Sequence, residues 1–228
     1  SDKSVSELFG EGLPVSLTIG GLAITLGLFF GVMLGVIAAM RQNSAADYSA
    51  MSIAMIGISI PTFVTGPLLS LVFGVWLHWF AAGGLDLGRM NFQNIFLPIV
   101  TLALPQIAII SRLMRASMIE VLRSNSIRTA RAKGLSEFRI MTRHALPAAI
   151  LPVVSYLGPA IVGVITGSVV IESVFGLPGV GSSFIEGAVT RDYTRVMGAV
   201  ILYGGLIIVL NLIADILYAM LDPKVRFE

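Results

Sequence analysis

The chain has 228 residues, of which 56% are hydrophobic and only 12% are charged, and its net charge is +2. Soluble domains carry about 25% charged residues, so this composition indicates an integral membrane protein. The small net charge gives no reason to expect a nucleic-acid partner. Because cysteine is absent, disulfides, thiolate chemistry and cysteine metal sites are excluded.

Five stretches of the chain are apolar and long enough to cross a bilayer, since a hydrocarbon core needs about 20 apolar helical residues. They cover about residues 13–40, 49–77, 95–114, 148–171 and 196–221. Backbone groups in lipid must be hydrogen-bonded within their own segment. We therefore predict an all-α, polytopic bundle of transmembrane helices at residues 13–228, preceded by a separate segment at residues 1–12.

Glycine recurs every four residues in the first span, at Gly27, Gly31 and Gly35. On a helix these positions form one smooth stripe, which lets a second helix approach closely in a membrane. Later spans contain prolines, which predict kinks because each lacks a backbone N–H. These are Pro61, Pro67, Pro98, Pro105, Pro152 and Pro159.

Basic residues are concentrated in alternate connections between the spans. Most of them lie in residues 41–48, in the long connection after the third span and in the C-terminal tail. Cytoplasmic connections of membrane proteins are rich in Lys and Arg, so we predict that these segments and the C-terminus are cytoplasmic. The N-terminus and the connections at 78–94 and 172–195 then face outward.

The connection between the third and fourth spans, at about residues 115–147, is too long for a simple turn. Ser136 is a good N-cap, which predicts a helix from Glu137, and Pro147 is expected to end that helix. The sequence SIRTARAK before it reads as another short helix. Gly134 between them is where the chain can bend.

Two interpretations of this basic connection are open. It could be a positive anchor lying on anionic lipid. The glycine and the fixed apolar positions favour instead a defined elbow that docks into a groove on a partner protein.

A polar pair lies in the last span, where Asn211 and Asp215 are four residues apart and share a helix face. An ionisable group at membrane depth is a functional candidate. The alternative interpretation is a hydrogen-bonded pair that joins helices.

No catalytic motif is visible in the sequence. None of the three lysines follows a glycine-rich run and precedes Ser or Thr, so a phosphate-binding loop is absent. No metalloprotease or serine-hydrolase motif occurs. We predict a protein that is not an enzyme and holds no cofactor of its own. A passive channel, a membrane scaffold and an ion-coupled carrier using Asp215 stay open as alternatives.

Several motifs resemble one family. Gly134 is followed after nine residues by His-Ala-Leu-Pro at 144–147, which resembles the EAA loop of binding-protein-dependent ABC importer permeases. The triplet at 128–130 is Arg-Thr-Ala, so Arg stands where the family has Glu. The peptide-transport branch, and most closely its oligopeptide permeases, is similar at RTARAKGL (128–135), ITGSVVIESVFGLPGVG (165–181), RDYT (191–194) and LDPKVR (221–226).

The resemblance implies a type I ABC importer permease in the bacterial inner membrane, with six spans in the family and the N-terminal one missing from this sequence. It implies a heterodimer with a homologous permease, two cytoplasmic ATPase subunits that hold ATP and Mg²⁺, and a periplasmic binding protein that delivers oligopeptides. Membrane lipid surrounds the helices, and residues 1–12 are periplasmic. Dipeptides or nickel are alternative cargoes in the same branch.

The resemblance also assigns candidate sites. The elbow helix, at about residues 130–137, is expected to seat in a cleft of the ATPase, with Leu135 and Phe138 in buried apolar contact. The full set of coupling candidates is Arg128, Thr129, Ala130, Arg131, Lys133, Gly134, Leu135, Glu137 and Phe138. Candidates for an outer gate or a contact with the binding protein are Glu172, Phe175, Pro178 and Gly179.

Overall fold

The structure is a computed structural model, and it describes residues 4–85 and 90–221. Within these ranges the regular structure is helical. The helices are α1 (Val5–Met40), α2 (Ala45–Ser59), α3 (Thr62–Leu69), α4 (Phe92–Leu122), α5 (Asn125–Ala132), α6 (Glu137–Ile140), α7 (Leu146–Ala149), α8 (Leu151–Val174), α9 (Val180–Thr190) and α10 (Tyr193–Leu221). Two π-helical segments, Ser70–Trp76 and Met141–Ala145, follow α3 and α6.

Four of these helices, α1, α4, α8 and α10, are long and apolar enough to cross a membrane. A fifth crossing is present if α2 and the helical segment from Thr62 to Trp76 count as one span. The predicted all-α, polytopic fold is therefore confirmed, and its five spans are present if the bent pair counts as one. The second span, predicted as continuous over 49–77, is instead broken.

The break in the second span lies at Ile60 and Pro61, where the chain bends by 102°. Pro61 has ψ 143°, which is an extended conformation, and its carbonyl accepts the N–H groups of Val64 and Thr65 that begin α3. Proline disfavours helical geometry in the residue before it. The proline predicted to kink the span thus ends one helix and begins the next.

Other helix boundaries differ from the sequence prediction. Helix α1 begins at Val5 and includes residues assigned to the segment before the first span, while residues 1–3 lie outside the described ranges. Helix α4 continues to Leu122 because Met114 and Met118 keep one face of it buried. Helix α9 occupies part of the predicted outward connection at 172–195.

The chain divides into two compact units. The first unit comprises Ser1–Leu26, Ile60–Leu104 and Pro159–Asn211, and the second comprises Gly27–Ser59, Pro105–Gly158 and Leu212–Glu228. Long helices run from one unit into the other, so each unit is built from parts of several helices.

The second unit is organised by the predicted glycine stripe. A Cβ atom added to Gly31 would lie 2.8 Å from Cβ of Ile110, and one added to Gly35 would lie 2.6 Å from Cβ of Met114. Real Cβ atoms do not approach so closely, so α1 and α4 are in backbone-level contact. The expected role of the stripe, close approach of a second helix, is confirmed, and α4 is that helix.

Candidate functional site

The predicted elbow is present, and its turn is closed by backbone hydrogen bonds. Helix α5 ends at Ala132, and Gly134 has φ 74°, in the left-handed region that favours glycine. The N–H of Gly134 donates to the carbonyl of Arg131 (2.9 Å), and the N–H of Leu135 donates to the carbonyl of Ala130 (3.3 Å). This pair of bonds is a Schellman motif. It fixes the direction in which the chain leaves α5.

The inner face of the elbow packs on a core within the second unit. Ile127 of α5 and Ile140 of α6 are fully buried in one apolar cluster with Met114 and Met118 of α4. Leu135, directly after the glycine, packs against the same cluster. The turn is therefore stabilised by the packing of these side chains as well as by its own backbone hydrogen bonds.

An ion pair closes the elbow on its outer side. The Arg131 guanidinium donates two hydrogen bonds to the Glu137 carboxylate, at 2.8 and 3.2 Å. The hydrogen bonds from Arg131 hold the pKa of Glu137 below its usual value, and the same pair raises the pKa of Arg131. Both side chains are exposed, and an exposed pair of this kind contributes little to stability. Its effect is to bias the angle between α5 and α6.

The outer face of the elbow is basic and carries one large apolar side chain. Phe138 is 78% exposed and lines an apolar groove together with Met33 and Met40 of α1. The basic side chains of this part of the chain are also exposed, namely Arg123, Arg128, Arg131, Lys133, Arg139 and Arg143. The elbow therefore offers an exposed aromatic side chain at an apolar groove, and exposed basic side chains elsewhere on its surface.

The predicted coupling residues are brought together by this elbow, but their layout differs from the expectation. The range 130–137 is not one helix, because α5 ends at Ala132 and α6 begins only at Glu137. Ala130 is buried and Leu135 is partly buried inside the chain itself, whereas Phe138 is exposed. The prediction of short helices at SIRTARAK and from Glu137 is confirmed.

The helix from Glu137 does not end at Pro147 as expected. The π-helical segment Met141–Ala145 leads into α7, where Pro147 stands in the first turn. A proline there is tolerated because the first N–H groups of a helix have no intrahelical partner. The elbow is thus joined to α8 by nearly continuous helical structure.

An ion pair between α2 and α4, with a buried carboxylate and a partly exposed guanidinium, was not predicted from the sequence. Nε and Nη2 of Arg115 in α4 donate to Oδ1 and Oδ2 of Asp47 in α2, both at 2.6 Å. The Asp47 side chain is 1% exposed. The backbone N–H of Asn43 donates to the same carboxylate at 2.9 Å. One local signal was available, because Ser44 and Asp47 have the spacing of a capping box at the start of α2.

The predicted outer loop after α8 is organised around Glu172. Its carboxylate accepts the N–H groups of Gly181 (2.8 Å) and Ser182 (3.3 Å), and the Ser16 hydroxyl accepts the N–H of Val180 (3.0 Å). These are the first N–H groups of α9, which lack partners within the helix. A Cβ atom on Gly179 would collide with the carboxylate. Glu172 is therefore a helix cap supplied by another helix.

The gate or contact role of this loop stays a prediction. Glu172 and Phe175 are buried, with at most 1% of each residue exposed, while Pro178 is exposed. A rigid partner could touch Pro178 directly. It could reach Glu172 only if the loop moved.

The predicted pair Asn211 and Asp215 lies in α10, one helical turn apart. Asp215 is exposed and lines a small cavity with Ser155 and Tyr218. Its function stays a prediction.

The sequence matches a known family. Residues 31–227 match the family described as binding-protein-dependent transport system inner membrane component. Similar proteins include the oligopeptide transport system permease protein OppB of Haemophilus influenzae, 51% identical, and that of Escherichia coli K12, 52% identical. Both matches cover 99% of this chain and 73% of the relative. The dipeptide transport system permease protein DppB of Bacillus subtilis is 43% identical over 99% of this chain and 72% of the relative.

Solved structures show the same fold at low sequence identity. An inward-facing structure of the MetNI methionine ABC transporter has a TM-score of 0.81 and 17% identity, with 97% of this chain and 100% of that chain covered. An amino acid ABC transporter has a TM-score of 0.66 and 21% identity, with 96% and 95% covered. The chain therefore belongs to the family of binding-protein-dependent transport system inner membrane components and has the fold of ABC importer permeases.

Proposed function

We propose that this chain is a transmembrane permease subunit of an ATP-driven peptide importer in the bacterial inner membrane. With a homologous permease it would form the path for oligopeptides delivered by a periplasmic binding protein. The names and the high identity of the OppB relatives support this cargo. The DppB relative supports dipeptides as the alternative.

The elbow is the observation that carries the proposal that the chain is driven by an ATPase. Its inner face is anchored in the core of the second unit, and it exposes Phe138 and several basic side chains. A short stiff elbow transmits a displacement, whereas a flexible loop would absorb it. We propose that the elbow seats on a cytoplasmic ATPase subunit, one of two in the complex, and that Phe138 enters an apolar recess there.

This assignment fixes the orientation. The elbow is cytoplasmic, and so is the C-terminus, while the N-terminus of this chain is periplasmic. The concentration of basic residues on the elbow side supports this topology. The loop capped by Glu172 then faces the periplasm.

The proposed mechanism is alternating access between two conformations of the permease pair. ATP and Mg²⁺ bind in the partner ATPase subunits, whose closure displaces the elbow. In this chain, Gly134 sets the shape of the elbow, Phe138 holds the partner, and Arg131 with Glu137 biases the angle between α5 and α6. The permease itself needs no nucleotide site.

The test uses the full complex with its partner permease, ATPase subunits and binding protein in proteoliposomes. We expect uptake of a labelled oligopeptide that depends on ATP. Phe138→Ala should release the ATPase subunits and abolish uptake, whereas Phe63→Ala, which removes another exposed phenylalanine, should leave both intact. Uptake that continues without ATP or without ATPase subunits would overturn the proposal in favour of a channel or an ion-coupled carrier.

A further inference from the structure

We propose that Asp47 and Arg115 form a clasp that makes the turn between α1 and α2 move together with α4 and the elbow. The clasp is defined as this ion pair. Both are positioning residues, because they act by fixing one segment of the chain to another. This inference rests on the proposed function, in which the elbow is displaced by an ATPase.

The geometry of the clasp resists relative motion. Its two hydrogen bonds are parallel, and both are 2.6 Å long. A bidentate pair between a planar guanidinium and a carboxylate fixes orientation as well as distance. The Asp47 side chain is 1% exposed, whereas that of Arg115 is 28% exposed. Relative motion of α2 and α4 at this point would have to break both bonds and leave the buried carboxylate without its charged partner.

A second, exposed contact links the same turn to Arg123, the residue that follows α4. Nη2 of Arg123 donates to Oε1 of Gln42 at 2.9 Å. The turn itself has a defined shape, since Asn43 has φ 60° and its N–H is bound by Asp47. Two separated contacts on one side of the turn prevent it from pivoting about either of them.

The clasp lies on a direct path to the elbow. Helix α4 continues from Arg115 to Leu122 without a break, and α5 begins at Asn125. Seven residues of α-helix span about 10 Å. Ile127 of α5 shares its apolar cluster with Met114, the residue before Arg115. A displacement of α5 therefore reaches the clasp through packed side chains and helical backbone.

Apolar packing alone would fix the contact between α2 and α4 less specifically than the ion pair does. Gly35 of α1 is already in close contact with Met114 and Ser111 of α4, so α1 and α4 need no further attraction. The ion pair joins α2 to α4 at one defined point on each helix. We infer that its function is to extend the moving body from α4 to α2.

The first experiment separates positioning from folding in the reconstituted complex. ATP hydrolysis stimulated by loaded binding protein and peptide uptake are measured for wild type, Asp47→Asn and Arg115→Gln, with the amount of assembled complex determined for each. Arg112→Gln is the matched control, because Arg112 is an exposed arginine on the same helix. We expect ATP hydrolysis to persist in both clasp variants. Peptide uptake per ATP should fall by about tenfold, which is the size of change that a typical coupling between two sites produces.

The double variant that exchanges the charges, Asp47→Arg with Arg115→Asp, should recover part of the lost coupling. If uptake and hydrolysis fall together in proportion to assembled complex, the pair is only structural and the inference is wrong. The inference is also wrong if both clasp variants behave like Arg112→Gln.

The second experiment does not depend on transport. This sequence has no cysteine, so Ala45→Cys and Asn125→Cys, both at exposed positions, can be spin-labelled selectively in this chain before it is assembled with partner subunits from which cysteine has been removed. We expect one narrow distance distribution, unchanged by ATP, and a broad one after Asp47→Asn. An equally narrow distribution after Asp47→Asn would overturn the clasp. If uptake does not require ATP but the distances behave as expected, the proposed function fails and the clasp stands.

Discussion

Replacement of Gly134 by alanine tests whether the shape of the elbow carries the coupling. Gly134 has φ 74°, and an added Cβ atom would have no heavy atom within 4 Å among the described residues. The substitution therefore causes no steric clash with neighbouring groups. Its whole effect comes from the backbone conformation, which an L-residue adopts only at a cost of about 1–2 kcal/mol.

This energetic cost predicts how large the effect of Gly134→Ala is and how different substitutions at this position rank. One or two kcal/mol changes a conformational ratio by a factor of about 5–30, so the elbow of Gly134→Ala should occupy its native shape correspondingly less. Asparagine tolerates the left-handed region better than alanine. Gly134→Asn should therefore have a smaller effect, and a β-branched residue at this position a larger one.

The assay is peptide uptake per ATP hydrolysed in the reconstituted complex. Gly84 offers a matched control, since it has φ 78° and the space around it is equally open. Gly84→Ala should carry the same local strain without lowering uptake per ATP. An equal loss of coupling in Gly84→Ala and Gly134→Ala would refute the reasoning, and so would a larger loss for asparagine than for alanine.

Three further predictions concern packing, capping and pH. Gly35→Ala should lower the free energy of unfolding by about 1–3 kcal/mol through overpacking, while Gly21→Ala, with no neighbour within 4 Å, should raise it; thermal unfolding in detergent measures both. Glu172→Ala should destabilise the chain by about 1–3 kcal/mol, because a buried and a partly buried amide lose their acceptor, and Glu172→Gln should cost less in the same assay. The pKa of Glu137 is lowered in the folded chain, so its pairing with Arg131 contributes above the ordinary pKa of Glu and is lost as the pH falls through the lower folded value; a fluorophore on the elbow should report this transition, and Glu137→Gln should remove it.

The elbow could be predicted from the sequence because its signals are local. A glycine after a short amphipathic stretch acts within a few residues, and Ser136 stands at the N-cap position of α6 although its side chain makes no capping hydrogen bond. The glycine stripe was also readable, because its spacing of four residues follows directly from helix geometry. In both cases the pattern determined the structure without information about distant parts of the chain.

The features that escaped prediction depend on distant partners. Asp47 and Arg115 are 68 residues apart in sequence, and nothing near either residue identifies the other. Helix α9 was missed because its first N–H groups are satisfied by Glu172 and Ser16 rather than by a local cap. Pro61 and Pro147 look alike in sequence, yet one breaks a helix and the other stands in the first turn of one.

The elbow and the loop after α8 use the same backbone device but are closed differently. Gly134 and Gly176 both have positive φ, and each is followed by a leucine whose N–H donates to the carbonyl five residues earlier. The elbow is then closed by an exposed ion pair, which solvent or a partner can replace. The other loop is closed by the buried carboxylate of Glu172, which a partner cannot reach without opening the loop. Because a partner can exchange the exposed contacts of the first without unpacking a buried side chain, the elbow is the turn suited to binding and release in each cycle.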